Sequence, residues 1–278
     1  MAILKGLVQT LAVLAAVGAA HASPPQRVVS FNLCADQLVV ALADPEQIAG
    51  LSPFANDPVL STVAPAATQF PRPDQRSEAT VALQPDLVLA GPMDRSAMRR
   101  TLADLGIRIH EVALVTNLAD ARAQAREVAA LLGHPERGEK LVAEIDAAEA
   151  RLTDAIRGRK ATALLVERKG YVTGPDSLAG ALLRAAGFVP PKDAPHGLGG
   201  FVPLEKLLML RPDFLVLHEL VTEPEDQGEL LLAHPALKAL YPPERVLILP
   251  RKYALCGGAA LVEALDYLTA ALSQPTPR

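Results

Sequence analysis

Short, uninterrupted apolar runs alternate along this chain with stretches of helical periodicity. The run beginning Val28-Val29-Ser30-Phe31 has no polar side and reads as a buried strand, and a helix is predicted directly after it over 35–42. Further strands are predicted at 48–52, 87–90, 107–112, 161–166, 171–173, 214–217 and 246–249, and helices at 96–105, 178–186 and 258–272. Residues 53–77 carry five prolines and little periodicity, which predicts a long irregular loop. One frame occurs twice. Glu78 opens a short helical run that stops at Pro85-Asp86 and is followed by Leu87-Val88-Leu89, and Glu205 opens another that stops at Pro212-Asp213 before Phe214-Leu215-Val216. Proline cannot continue a helix, so each frame is one helix-to-strand step of a parallel α/β layer.

Between the two copies the pattern changes. Residues 118–157 are rich in Ala, Glu, Arg and Leu, with no strand signal and a break only at Gly133-His134-Pro135. The expected organisation is an α/β lobe at 23–117, a linking helical segment at 118–158 and a second α/β lobe at 159–278. Parallel lobes bind ligands beyond the carboxyl ends of their strands, and two facing lobes make a cleft.

The amino-terminal stretch places Lys5 before an apolar run and ends it at Ala20-His21-Ala22, the pattern of a cleaved secretory signal peptide over 1–22. That run is shorter than the ~20 residues needed to cross a bilayer. A soluble product outside the cytoplasm is expected. Half of all residues are hydrophobic, so proper cores can form. The net charge is −4 and there is no basic run, which argues against nucleic acid as a partner. With no tryptophan, large flat stacking surfaces are few.

The order of these elements resembles the periplasmic substrate-binding proteins of ABC importers, in the helix-linked class that serves ferric siderophores, haem and cobalamin. The resemblance rests on Val28-Val29-Ser30-Phe31-Asn32 with its following helix, on Glu78 to Leu89, on the long helical segment, and on Glu205 with Pro212-Asp213. It implies two Rossmann-like α/β lobes joined by a long backbone helix, with the ligand cleft between them and only small closure on binding. It also implies a monomer that performs no chemistry, holds no intrinsic cofactor, and carries a metal chelate through the periplasm to an inner-membrane permease. Glu78 and Glu205 are then the permease-docking residues. A glutamate in a first helical turn also complements the helix dipole, and two at matching positions favour docking over that role alone.

The candidate cleft chemistry lies in the loops after the strands. Cys34 and Cys256 are the only cysteines, each just before a predicted helix. Three readings stay open: a disulfide, a thiolate pair ligating a metal or its chelate, or two buried small hydrophobes. Arg168-Lys169 and Arg251-Lys252 follow strands of the second lobe, and Arg72, Arg76 and Arg95 occupy loops of the first, a grouping that points to an anionic ligand. His196 and His218 could ligate a metal, but no histidine falls in a first-lobe cleft loop, which favours a chelate over bare zinc or manganese. Phe31, Asn32, Phe54, Tyr171, Phe201 and Tyr253 complete the expected ligand contacts, and Asp36 is expected to cap the first helix. Two other classes fit the same architecture: an exported enzyme with Cys34 or Cys256 as nucleophile, and a docking module without a small ligand. No catalytic signature supports the first.

Overall fold

The structure is a computed structural model that describes residues 23–273 except 75, 95, 157, 159, 222, 223 and 225. The first lobe runs β1 (Val28–Ser30), α1 (Leu33–Leu42), β2 (Ile48–Gly50), α2 (Ala64–Ala67), α3 (Ser77–Ala82), β3 (Leu87–Ala90), α4 (Ser96–Asp104) and β4 (Arg108–Glu111). Two helices follow, α5 (Leu118–Leu132) and α6 (Pro135–Ile156). The second lobe contains β5 (Ala161–Leu165), β6 (Tyr171–Thr173), α7 (Leu178–Ala185), β7 (Phe188–Val189), β8 (Gly199–Phe201), α8 (Leu204–Leu210), β9 (Phe214–Leu217), α9 (Gln227–Leu230), α10 (Pro235–Leu240), β10 (Val246–Ile248), α11 (Arg251–Ala254) and α12 (Ala259–Ser273).

The two main sheets are wholly parallel, ordered β2-β1-β3-β4 and β7-β5-β9-β10. Counted within each lobe, both orders are second-first-third-fourth, so the sequence repeat is a repeat of topology. The central strands β1, β3 and β5 are mostly apolar because both faces of each sheet are covered there, whereas the edge strand β4 reads Arg-Ile-His-Glu and is partly exposed. In the first lobe Val28, Leu87 and Leu89 face the helical spine, while Val29, Val88 and Ala90 pack outward on Met98 and Leu102 of α4.

The repeated frame does the same mechanical job twice. Gln84 and Arg211, the residues before each Pro-Asp, adopt left-handed backbone conformations, with φ of 49° and 43°. A non-glycine residue rarely accepts that geometry, and here it turns each helix sharply into its strand. The following aspartate then anchors the neighbouring central strand. Asp86 accepts from the backbone N–H of Gln26 at 2.7 Å and of Arg27 at 3.1 Å. Asp213 accepts from the N–H and hydroxyl of Thr162, both at 2.8 Å. An arginine braces each turn as well: Arg27 donates to the Leu83 carbonyl, and Arg245 to those of Pro212 and Asp213.

The linking segment is a helical hairpin rather than one strut. Gly133, with φ of 91°, ends α5, and α6 returns against it. α12 then packs along α6 and also reaches α1, so the last helix rejoins the first lobe. α1, α5, α6, α7 and α12 contribute to one apolar core that runs without a break between the inner faces of both sheets. Among the described residues, no helix is long and apolar enough to cross a membrane.

Candidate functional site

The carboxyl ends of both sheets face a cleft, and the chain fills its two walls differently. On the first-lobe side the polar groups are occupied with one another. Asn32 caps α1 by accepting from Cys34 N and Ala35 N, and its side-chain amide donates to Asp94 at 3.3 Å. Asp36, expected as the cap, is instead fully buried and accepts from the N–H of Ser52 at 2.8 Å and its hydroxyl at 2.5 Å. Asn32 lies one residue before α1, where its side chain reaches the free N–H groups, whereas Asp36 already lies inside the helix. Burial pushes the Asp36 carboxyl up, partly opposed by the hydrogen bonds from Ser52. This wall presents apolar side chains to the cleft: Pro58, Val59, Leu114 and Val115.

The second-lobe wall carries the charge. His218 directly follows β9, Glu167 lies just beyond β5, and Arg251 opens α11 after β10, so three neighbouring strands deliver them to one place. His218 Nε2 and Arg251 Nη1 each lie 3.7 Å from Glu167 Oε2, and the Thr173 hydroxyl donates to Glu167 Oε1 at 2.7 Å. The Leu249 carbonyl, 2.8 Å from His218 Nδ1, can only accept, so Nδ1 bears a proton and Nε2 is the atom on the Glu167 side. The imidazole of His218, the Thr173 hydroxyl and the Arg251 guanidinium hold the Glu167 carboxyl below the usual carboxylate range, against its own desolvation. His218 lines two adjoining cavities between the lobes, of about 160 and 110 Å³. The larger is bordered by Leu114 and Thr116 from the first lobe and by Glu167, Leu198 and Leu255 from the second; the smaller adds Arg251 and Lys252.

Cys34 and Cys256 form a disulfide, with Cα atoms 5.1 Å apart, and both of the protein's cysteines are consumed. The neighbouring Gly257 packs on Ala121 and Gly258 on Leu38, so the bond lies at the base of the cleft, where the lobes already meet. Neither the thiolate-ligation reading nor the cysteine-nucleophile enzyme keeps a free thiol.

Several expected contacts lie elsewhere. Phe31 is 2% exposed and belongs to the outer core of the first lobe, because the β1 alternation carries it to the α4 side. Arg168 is paired with Asp226 and Glu229 and so ties the segment around α9 to the turn after β5. Arg72 donates to the Ala67 and Phe70 carbonyls, and Arg76 pairs with Asp74. Arg95 and the expected signal peptide over 1–22 lie outside the described residues. Tyr253 packs on Tyr267, with the Lys252 ammonium 5.2 Å from its ring centre.

Tyr171 and Phe201 face each other on the antiparallel β6–β8 ribbon, ring centres 5.3 Å apart and edge to face, with Phe201 largely exposed. His196 is exposed in the turn before that ribbon, apart from the His218 cluster, and Phe54 is half-exposed on the loop after β2. Glu78 and Glu205 occupy the first turns of α3 and α8 and are both exposed. Sequence reasoning missed Glu167. Its signal was its place immediately beyond a strand, in a loop where the adjacent cations drew the attention.

Two doubly wound lobes on a helical spine, with an open cleft at their strand ends, define a two-lobed ligand-capturing protein. This chain belongs to the periplasmic binding protein family, whose model matches residues 28–240. Its fold is similar to that of the periplasmic haem-binding protein RhuT of Roseiflexus sp. RS-1, with 25% identity and a TM-score of 0.71 over 89% of this chain and 98% of that one. The periplasmic vitamin B12-binding protein BtuF of Vibrio cholerae shares the fold at 16% identity, with a TM-score of 0.68 over 90% of this chain and 99% of that one. A cobalamin-binding protein of Halobacterium salinarum is 29% identical over 174 residues, which are 59% of this chain and 46% of that protein. The chain thus spans about half the length of the curated relatives it matches. These relatives are binding proteins rather than enzymes, and the family works with ABC permeases.

Proposed function

We propose that this protein is the solute-binding component of an ABC importer, exported by its amino-terminal signal peptide, and that it carries a tetrapyrrole chelate of the haem or cobalamin kind. The observation that carries this reading is the asymmetric cleft. The first-lobe wall of Val59, Leu114 and Val115 can cover an apolar macrocycle, while Arg251, Lys252 and His218 of the second lobe meet its polar edge or its metal. A siderophore rich in carboxylate or hydroxamate oxygens would find fewer donors here, since Arg168, Arg72 and Arg76 are already paired or bonded within the chain. The haem- and cobalamin-binding relatives support the same class. The exposed Glu78 and Glu205, one per lobe on equivalent helices, are suited to gripping a permease, and the disulfide with its packed glycines suits small closure.

The test is thermal unfolding of residues 23–278 with cobalamin, haemin and ferric hydroxamate siderophores. A true cargo at 100-fold over its dissociation constant adds about 2.7 kcal/mol, or several degrees for a chain of this size. Stabilisation by a tetrapyrrole that weakens in His218→Ala supports the reading. Stabilisation only by a siderophore overturns the tetrapyrrole assignment, and no stabilisation by any of the three leaves the docking module as the better account.

A further inference from the structure

One short segment contributes to both cavities of the cleft. Pro250, Arg251 and Lys252 line the smaller, and Ala254 and Leu255 line the larger. The segment starts just after Leu249, whose carbonyl orients His218. Yet α11, which forms most of it, has four residues, and the proline at its N-cap carries no side-chain acceptor. That is too little for a helix to hold its own shape, so the segment must be fixed from outside.

At its start it is tied to the second sheet, since Leu249 donates its N–H to the Leu217 carbonyl at 2.8 Å. Along its length α11 lies on α7 and α12, with Tyr253 packed on Tyr267. At its far end the chain enters Gly257 and Gly258 before α12 begins at Ala259, and glycine is the least restrained of joints. Cys256 stands on the near side of that joint and is 1% exposed. Its bond to Cys34 bypasses the two glycines. Cys34 is a firm post: it lies in the first turn of ten-residue α1, its N–H donates to the Asn32 side chain at 3.1 Å, and α1 buries its apolar face in the spine core. The disulfide thus fastens the cation-bearing segment of the second lobe to a buried helix of the first.

We propose that the Cys34–Cys256 disulfide is a positioning element of the cargo site, which holds Arg251 and Lys252 at the cleft and so sets cargo affinity. The effect on affinity rests on the cleft being the cargo site; the effect on the segment does not. Two measurements compare residues 23–278 with the double variant Cys34→Ser/Cys256→Ser. Without ligand, backbone NMR order parameters over 251–255 are expected to fall below the rigid value of about 0.85 in the double variant, while β9 and α6 keep it. Titration with cobalamin, haemin and a ferric hydroxamate siderophore then reads affinity, and the chelate that binds the parent is expected to bind the double variant at least fivefold more weakly. Arg251→Ala, which costs about tenfold in the parent, is expected to cost under threefold in the double variant, whereas Val59→Ala on the facing wall costs the same factor in both. A loss of stability alone would not produce that selective coupling. Order parameters over 251–255 that stay rigid in the double variant, or an undiminished Arg251→Ala effect there, would overturn the proposal. If none of the three chelates binds the parent, the cargo assignment fails, and the order parameters decide by themselves whether the bond positions the segment.

Discussion

The two lobes have the same strand order and the same clamp at the amino ends of their strands, and they differ at the carboxyl ends. Asp86 and Asp213 do equivalent work, as do Arg27 and Arg245. At the opposite ends, the first lobe buries its polar groups against one another around Asp36, and the second turns Glu167, His218 and Arg251 toward the cleft. The shared end specifies the fold, and the divergent end has been free to acquire chemistry. The two carboxyl groups make the contrast quantitative in sign: burial raises Asp36, whereas partners lower Glu167.

The largest expected effect tests whether the lobes are independent halves. Replacing both Cys34 and Cys256 by serine removes the disulfide cross-link and should cost about 2–5 kcal/mol in urea unfolding, given the length of chain the bond closes. A loss under about 1 kcal/mol would mean that the apolar spine alone fixes their arrangement.

Next, Asp86→Ala and Asp213→Ala should each lose about 1–2 kcal/mol, reduced from the full value for a charge-assisted bond by their exposure to solvent. A large loss for one and none for the other would break the equivalence of the frames. Hydrogen bonds from Thr162 hold the Asp213 carboxyl low. A depressed folded pKa confers stability that is present above the unfolded pKa and lost as pH falls through the folded one, so Asp213→Ala should flatten the acid limb below about pH 4.

Asp36→Asn and Glu167→Gln should act on opposite limbs of the stability profile. The raised Asp36 gives stability that is greatest below its unfolded pKa and declines as pH rises toward the folded value, and Asp36→Asn should remove that decline. The lowered Glu167 gives stability that is lost on acidification, and Glu167→Gln should remove that loss. Melting temperatures from pH 3 to 8 decide it; the same slope change in both variants would refute the contrast.

The smallest effect separates two arginines of the second lobe. Arg168→Ala should change the melting temperature little and leave cargo affinity unchanged, since its solvent-facing guanidinium is spent on ion pairs within the protein. Arg251→Ala should weaken cargo binding about tenfold, equivalent to about 1.4 kcal/mol, with little change in stability. Direct titration with the stabilising chelate distinguishes them.

The repeat explains why so much of the fold was legible. β3 and β9 fall where the apolar runs and Pro-Asp stops place them, because local pattern and burial on both sheet faces agree there. β7, β8 and α9 to α11 were not legible. β8 is Gly-Gly-Phe, with almost no side-chain pattern, and exists because β6 pairs with it; the helices are too short to announce themselves by periodicity. For the site, the rule that ligands meet strand ends drew attention to His218 and Arg251, and both line the cleft. It could not tell Arg168 from Arg251, because only the folded chain brings Asp226 and Glu229 to the former. Phe31 shows the reverse limit: a residue at a strand end still points to whichever face the alternation assigns.

The Cys34–Cys256 bond, 222 positions across, makes nearly the whole described protein a closed covalent ring. A protease that cuts once in an exposed turn within that ring, such as the one holding His196, opens the ring without releasing a fragment. The nicked molecule would migrate as a single species until reductant is added and then fall into two pieces. A single backbone cut therefore need not separate the two walls of the cleft, and a binding protein that meets proteases outside the cell membrane can be nicked and still hold its halves in register.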